Sequence, residues 1–255
     1  MGVPASNPVK TTETTISIVQ ALDDRGVVGV TTLAETLGLS KGTVHNHLST
    51  LAAHDYVVKV DGGYRLGMRF FQLGQGVRDR VAIPSSVAKP YLRELATETG
   101  EIANLMVEDG GVGFYVDIER GENAIALDTT VGTSQHLHTC ALGKAILAHI
   151  PETRLAGILD RRGLPERTRN TVTDEDTLRE ELREIRRRGV AYDTEERAEH
   201  VRCVAAPIRS DRQEVLGAVS VTGPTSRMKD DRLESEIIEE VKHAATVIGI
   251  NATYA

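Results

Sequence analysis

Residues 39–57 read LSKGTVHNHLSTLAAHDYV, and this stretch indicates the fold of the N-terminal part of the chain. Ser40 is a favoured residue for the N-cap of a helix, because its hydroxyl can accept a backbone N–H of the first turn. Val44, Leu48 and Leu51 follow at spacings of four and three residues and therefore share one face. The stretch thus predicts a short amphipathic helix that begins after Ser40.

The other faces of this helix carry small polar side chains and one positive charge. Such groups can donate and accept hydrogen bonds at base edges in the major groove of DNA. The displayed residues are Lys41, Thr43, His45, Asn46, His47, Ser49 and Thr50.

The segments before this helix complete a helix-turn-helix pattern. We expect a helix over residues 13–23 with Ile16, Val19 and Leu22 inward, and a short apolar strand at 27–30. A second helix begins at Thr31 or Thr32, turns Leu33, Ala34 and Leu37 inward, and ends at Gly38. Two helices joined by a short glycine turn are typical of this motif.

A β-hairpin follows the second helix of the motif. Residues 56–60 and 64–66 read as strands, and Asp61-Gly62-Gly63 reads as the tight turn between them. The fold predicted for this part is therefore a winged helix-turn-helix. The predicted DNA contacts are Ser40, Lys41, Thr43, His45, Asn46, His47, Thr50, Lys59 and Arg65.

The charge of the chain argues less strongly for DNA. The 255 residues carry a net charge of -7. Residues 1–68 contain five Lys or Arg and six Asp or Glu, a balance of about -1. A winged helix that docks another protein is therefore an alternative. Protein-docking faces usually keep apolar anchors, and the polar outer face favours double-stranded DNA.

Composition places the chain among globular proteins of the cytoplasm. At 40% hydrophobic residues it can bury a core, and no apolar run is long enough to span a membrane. The N-terminus has no secretory signal, and the two cysteines form no CxxC pair. Of 30 basic residues 7 are Lys and 23 are Arg, which suggests a salt-adapted, haloarchaeal source.

The remainder of the chain reads as a mixture of helices and antiparallel strands. A linker helix is expected from Met68 to about Val81, and Pro84 marks a boundary. The predicted domains are residues 10–67, the linker helix at 68–83, and a C-terminal domain at 84–255. The expected C-terminal elements are a helix at 85–99, strands at 103–107, 112–118 and 124–127, a helix capped by Thr139 and ended by Pro151, a helix from Thr173 to Gly189, two strands joined by a turn at 210–213, and a last helix at about 230–250 through Leu233, Ile237, Val241, Ala244 and Ile248. This order is typical of an α+β sensor domain.

Several motifs resemble the IclR family of transcription regulators. They are LSKGTVHNHLSTL (39–51), GGYRLGMRFFQLG (62–74), LHTCALGKAILA (137–148), GVAYDTEE (189–196), RCVAAPI (202–208) and AVSVTGP (218–224), in the order of the family. The resemblance implies a GAF-like effector-binding domain behind the winged helix, a palindromic operator, and homodimers that pair into tetramers. The family commonly has Arg where this chain has Asn46, so His45, His47 or Lys41 is expected to make that phosphate contact.

An effector site is expected around the start of the helix after Thr139. Free backbone N–H groups at residues 140–143 suit a carboxylate, and Asp193, Cys203, Ser220 and Thr222 are candidates for the opposite wall. By the resemblance, the pocket is lined by Ala141, Leu142, Asp193, Val201, Cys203, Ser220 and Thr222. The implied ligand is a small organic or aromatic acid, with Asp193 accepting a ligand hydroxyl, and no cofactor is predicted.

The residues of the same region also suggest two other chemistries, metal binding and thiol catalysis. His136, His138 and Cys140 resemble a metal-ligand set that Cys203 or His200 would complete, which predicts a metal- or redox-responsive regulator. Cys140 near His138 also suggests a thiol nucleophile with a base. No phosphate-binding loop, Rossmann fingerprint or G-x-S-x-G elbow is present, so an enzyme is not expected.

Overall fold

A computed structural model describes residues 7–229 and 236–254. The chain divides into two compact units between Arg80 and Val81. None of the helices within the described ranges is long and apolar enough to cross a membrane.

The N-terminal unit consists of three helices, a β-hairpin and a fourth helix. Ile18, Leu22, Leu33, Val44 and Leu48 form the centre of its core and are almost fully buried. The predicted hairpin is present, but Val60 pairs with Gly63 across the two-residue turn Asp61-Gly62, so Gly63 belongs to the second strand and not to the turn. The elements are α1 (Lys10–Arg25), α2 (Val30–Leu37), α3 (Lys41–Ala53), β1 (Val57–Val60), β2 (Gly63–Leu66) and α4 (Arg69–Arg78).

Other expectations for this unit also need correction. The expected strand at 27–30 is a single bridge from Val28 to Tyr64, because Val30 already begins α2. Helix α1 turns Ile18 and not Ile16 into the core, since the buried face is set by packing on α2 and the hairpin. The linker helix α4 ends at Arg78 and buries no side chain.

The C-terminal unit is a six-stranded antiparallel sheet in the order β5-β4-β3-β8-β7-β6, with helices on both faces. One face packs against α5 and α9, and the other packs against α6, α7 and α8. The elements are α5 (Ser85–Thr99), β3 (Ile102–Asp109), β4 (Val112–Arg120), β5 (Ser134–Gln135), α6 (Ala141–Leu147), α7 (Glu152–Arg162), α8 (Glu175–Arg188), β6 (Ala191–Thr194), β7 (Val201–Arg209), β8 (Val215–Pro224) and α9 (Ile238–Thr253). The α+β class and the winged helix-turn-helix are confirmed.

The strand expectations for this unit were only partly correct. Residues 124–127 form no strand, and β5 at Ser134–Gln135 pairs with that edge of β4 instead. The segment 189–224 contains three strands rather than two, because β6 also pairs with β7.

The helix expectations for this unit also need correction at their ends. Cys140 rather than Thr139 occupies the N-cap of α6, and Asp174 rather than Thr173 caps α8 by accepting the Thr177 N–H at 2.8 Å. Helix α7 was not predicted. Ile237, Val241, Ala244 and Ile248 are buried as expected, whereas Leu233 lies outside the described residues.

Candidate nucleic-acid interface and candidate ligand site

Helix α3 presents its polar residues to solvent and its apolar residues to the core. Ser40 caps it by accepting the Thr43 N–H at 3.0 Å, and the two hydroxyls lie 2.9 Å apart. Val44 and Leu48 are fully buried. The exposed predicted contacts are Ser40, Lys41, His45, Asn46 and Thr50, with Thr43 half-buried. An exposed polar face on the second helix of the motif is the arrangement that major-groove reading requires.

His47 is held differently from its neighbours on α3. Its side chain is half-buried, and Nδ1 lies 2.8 Å from the Thr15 hydroxyl of α1. One ring nitrogen is therefore already engaged within the protein. The structure places His47 between α1 and α3, which gives it a positioning role that the sequence pattern did not reveal.

The wing is tied to the segment that joins α1 and α2. Val28 and Tyr64 exchange both backbone hydrogen bonds at 2.9 Å. A Cβ on Gly63 would lie 2.3 Å from the Val28 carbonyl oxygen, so only glycine permits this approach. Lys59 and Arg65, the two predicted phosphate contacts of the wing, are both exposed.

Three of the predicted effector residues line up across neighbouring strands of the C-terminal sheet. Asp193 on β6 pairs with Cys203 on β7, and Cys203 pairs with Thr222 on β8. The Cys203 sulfur lies 3.0 Å from the Thr222 hydroxyl. Asn104 of β3 donates to that hydroxyl at 3.0 Å and to Ser220 at 3.3 Å. The strands therefore assemble a buried polar row on the sheet face that packs against α6.

Asp193 is buried with half of its carboxylate unsatisfied. Oδ1 accepts the backbone N–H groups of Glu196 at 2.8 Å and Arg197 at 3.4 Å. Oδ2 has no hydrogen-bond partner within the described ranges. Burial raises the pKa of Asp193 to about 6, because the charged form is poorly solvated there. Such a group can accept a ligand hydroxyl when charged or donate to a ligand when protonated.

The start of α6 forms the opposite side of this row. Cys140 is fully buried and receives the Gly143 N–H, so that amide is not free. Thr139 lies in a 3-10 turn and donates to the His136 carbonyl at 2.8 Å. Ala141, Leu142 and Val201 are buried apolar residues of the same cluster.

A buried lysine beside the polar row was missed by sequence reasoning. Lys144 of α6 has no exposed surface, and its Nζ donates to Glu181 and Glu196 at 2.6 Å each. The two carboxylates raise the pKa of Lys144 against the effect of burial, which acts to lower it, so the lysine stays charged. Glu196 is raised to a pKa of about 7 by burial, and its Oε2 lacks a partner among the described residues.

An open cavity of about 650 Å³ adjoins this region. None of the seven predicted effector residues lines it, and all seven are buried. Its lining residues come from three separate segments, which explains why no local pattern revealed them. They are Ser134, Gln135, His136, Thr139, Pro165, Glu166, Arg167, Thr168, Arg197 and Ala198.

The geometry of this region favours neither the predicted metal site nor the predicted thiol nucleophile. The rings of His136 and His138 are 5.8 Å apart, and His138 Nε2 lies 3.1 Å from the Pro165 carbonyl. Across residues 7–229 and 236–254 no three His, Cys, Asp or Glu side chains converge as metal ligands. Burial raises the pKa of Cys140 to about 11, which keeps this thiol protonated and weakly nucleophilic.

Family comparison accounts for both units. The IclR helix-turn-helix domain matches residues 15–61, and the C-terminal domain of the bacterial transcriptional regulator IclR matches residues 79–250. The HTH-type transcriptional regulator XynR of Escherichia coli is 31% identical over 228 residues, which cover 88% of this chain and 90% of XynR.

Solved structures give the same result. The IclR of Thermotoga maritima has a TM-score of 0.78 and 30% identity, with 96% of this chain and 98% of that chain covered. An IclR homologue of Microbacterium hydrocarbonoxydans complexed with 4-hydroxybenzoate has the same fold, with a TM-score of 0.78 at 22% identity over 96% of this chain and 99% of its own. These relatives are regulators rather than enzymes. The chain belongs to the IclR family of transcriptional regulators.

Proposed function

We propose that the protein binds a specific palindromic DNA operator as a dimer and that a small organic acid changes this binding. The observation that carries the DNA proposal is the capped, solvent-facing helix α3, whose exposed side chains are polar and whose apolar side chains are buried. The wing adds the exposed side chains of Lys59 on β1 and Arg65 on β2. Because the target is DNA, we place the protein in the cytoplasm.

Helix α4 supports a dimer. Phe71 and Val77 are 60% and 62% exposed, and Met68 and Leu73 are also exposed. Four large apolar side chains at or next to a ten-residue helix are costly in water and favour burial against a second copy. A two-fold dimer would present two α3 helices to the two halves of a palindrome. Pairing of dimers into tetramers stays a prediction.

The buried polar row supports effector binding. Asp193 Oδ2 is an unpaired acceptor in a protein interior where polar groups are normally satisfied. A ligand hydroxyl or a buried water would satisfy it. The Microbacterium homologue binds 4-hydroxybenzoate, and we extend only the class of ligand, an organic acid, to this chain. The effector would act by binding one spacing of the two DNA-reading helices more tightly than the other.

A gel-shift assay with DNA flanking the gene, run over a salt series, tests the DNA proposal. A shift that survives non-specific competitor is expected. Lys41→Gln should weaken binding and reduce its dependence on salt, because a phosphate contact releases counterions. Lys242→Gln, at a half-buried lysine of α9 in the C-terminal unit, is the matched control. Folded protein that shifts no DNA at any salt concentration would show that α3 contacts another kind of partner.

Asp193→Ala tests the effector proposal separately. The variant should bind the operator as the wild type does and lose the response to the acid. Loss of both properties would assign Asp193 to the structural core instead.

A further inference from the structure

The cavity beside the polar row is lined mainly by residues with polar or charged side chains. Apart from Pro165 and Ala198, every residue that lines it carries a hydroxyl, an amide, an imidazole or a charge. Most small-molecule sites are lined predominantly by apolar and aromatic side chains. A volume of about 650 Å³ is within the range of small-molecule sites. The lining therefore suits a hydrophilic ligand.

Arg197 brings a buried positive charge to this cavity. Only 6% of the residue is exposed, and its guanidinium lies 5.4 Å from the ring centre of Tyr115. Nη2 donates to the Thr129 hydroxyl, and Nε donates at 2.7 Å to Gln135 when that amide turns its oxygen inward. These partners are neutral. A buried guanidinium is normally paired with a carboxylate or phosphate.

The carboxylates near Arg197 leave this charge largely unpaired. Within residues 7–229 and 236–254 the one carboxylate oxygen inside 4 Å belongs to Asp128, at 3.8 Å, and the Asp128 side chain is 84% exposed. Asp193 accepts the backbone N–H of Arg197 and not its guanidinium. Glu196 is paired with Lys144. Glu166 lines the cavity and is exposed, so solvent screens it.

Two further groups of the lining complement an anion that also carries hydroxyls. Arg167 adds a second guanidinium, held by its Nε–H donating to the Arg197 carbonyl at 3.1 Å. The Thr139 hydroxyl donates its hydrogen bond to the His136 carbonyl. Its oxygen lone pairs are therefore left to accept a hydrogen bond from a ligand hydroxyl.

We infer that this cavity binds a hydroxylated carboxylate, with the carboxylate on the Arg197 guanidinium and a hydroxyl at Thr139. This inference goes beyond the proposed function: the cavity is a second site beside the polar row at Asp193, and its ligand class is narrower, polar hydroxy acids rather than organic acids in general. It also places the charged end of the ligand at residues that the family resemblance did not indicate.

Titration calorimetry with a defined set of probes tests the inference. The set contains three hydroxylated carboxylates (glycerate, malate and gluconate), the neutral polyol glucitol, and benzoate. At least one hydroxylated carboxylate should bind saturably and raise the melting temperature, more tightly than glucitol and benzoate. Arg197→Gln should weaken that binding at least tenfold, and Arg167→Gln about threefold or more.

Arg169→Gln is the matched control, because Arg169 is an exposed arginine of the same loop outside the cavity lining. Arg167 is exposed, so Arg167→Gln should fold normally. If Arg197→Gln does not fold, the affinity of Arg167→Gln for the carboxylate tests the inference. The inference is wrong if no hydroxylated carboxylate binds, if benzoate binds best, or if Arg169→Gln weakens binding as much as the lining variants.

Gel shifts on the same proteins separate this inference from the proposed function. Wild-type protein that shifts its operator but binds none of the carboxylates overturns the cavity assignment alone. Wild-type protein that binds a carboxylate but no DNA overturns the regulator proposal and leaves the cavity assignment standing.

Discussion

Thr15 and His47 are 32 residues apart in the chain and join α1 to α3 through a contact of 2.8 Å between Oγ1 and Nδ1. The contact is half-buried and lies where the apolar side of α3 gives way to its exposed polar side. Because His47 lies on α3, the contact fixes the rotation of the helix proposed to read DNA. In the proposed complex with DNA, a residue of α1 would therefore set how α3 meets the bases without touching them.

Thr15→Val should weaken operator binding about two- to tenfold, the equivalent of one net hydrogen bond of about 0.5–1.5 kcal/mol. The slope of affinity against salt should stay unchanged, since no phosphate contact is lost. Quantitative gel shifts over a salt series measure both. Thr12→Val, an exposed threonine of α1, should bind as the wild type does. Equal effects of the two variants would contradict a positioning role.

Ser40→Ala should destabilise the N-terminal unit by about 1 kcal/mol, because the Thr43 N–H loses its acceptor at the start of α3. Urea unfolding followed by circular dichroism measures the change. Ser49→Ala, an exposed serine in the middle of α3, should cost little and serves as the control. A cost at Ser49 as large as that at Ser40 would argue against capping.

Lys144→Met should destabilise the C-terminal unit by roughly 3–5 kcal/mol, since two carboxylates would lose a buried partner. Glu196→Gln added to Lys144→Met should recover part of the loss, because it removes one of the unpaired charges. Thermal and urea unfolding give the comparison. Lys242→Met, which breaks an exposed pair with Glu239, should change stability by less than about 1 kcal/mol. No recovery in the double variant would mean that packing and not charge dominates at this site.

The raised pKa of Asp193 predicts a pH dependence with a definite sign. Its folded pKa of about 6 exceeds the ordinary value of 3.8, so the folded state holds a proton that the unfolded state has released. This stabilisation is complete below pH 4 and is lost as pH rises through 6, by up to about 3 kcal/mol.

Asp193→Asn keeps an acceptor for the two backbone N–H groups and removes the titration. Stability should therefore fall less between pH 4 and 7 in the variant than in the wild type. Asp128→Asn changes an exposed aspartate and should follow the wild-type curve. Parallel curves for wild type and Asp193→Asn would show that Asp193 titrates normally.

Local chemistry predicted several of the helix ends and turns. Gly38 adopts the left-handed conformation expected of a C-cap, Ser40 accepts the Thr43 N–H, and Asp61-Gly62 makes the turn of the predicted hairpin. Helix α5 has the predicted bounds, because Pro84 and Gly100 mark its ends within the sequence itself. These features depend on interactions within about five residues, which a sequence pattern displays directly.

Features that depend on distant partners were predicted less well. Residues 124–127 read AIAL, an apolar run in which small and large side chains alternate, and were predicted as a strand. The edge of β4 is instead paired with Ser134 and Gln135, which have no such pattern. The pairing of Lys144 with Glu181 and Glu196 joins residues 37 and 52 positions apart. The cavity collects residues from three segments, and in each segment alone they read as ordinary polar loops.

The short connection between β6 and β7, residues 195–200, carries an unusual share of these interactions. Glu196 reaches Lys144, Arg197 lines the cavity, and backbone groups of the connection hold Asp193 and Arg167. Substitutions confined to this connection can therefore reverse the charge of the cavity while leaving the strand pairing of the sheet in place. Under the proposed function, it is the segment through which a duplicated gene would acquire a new ligand preference in few steps, and the natural place to change ligand preference in an engineered sensor.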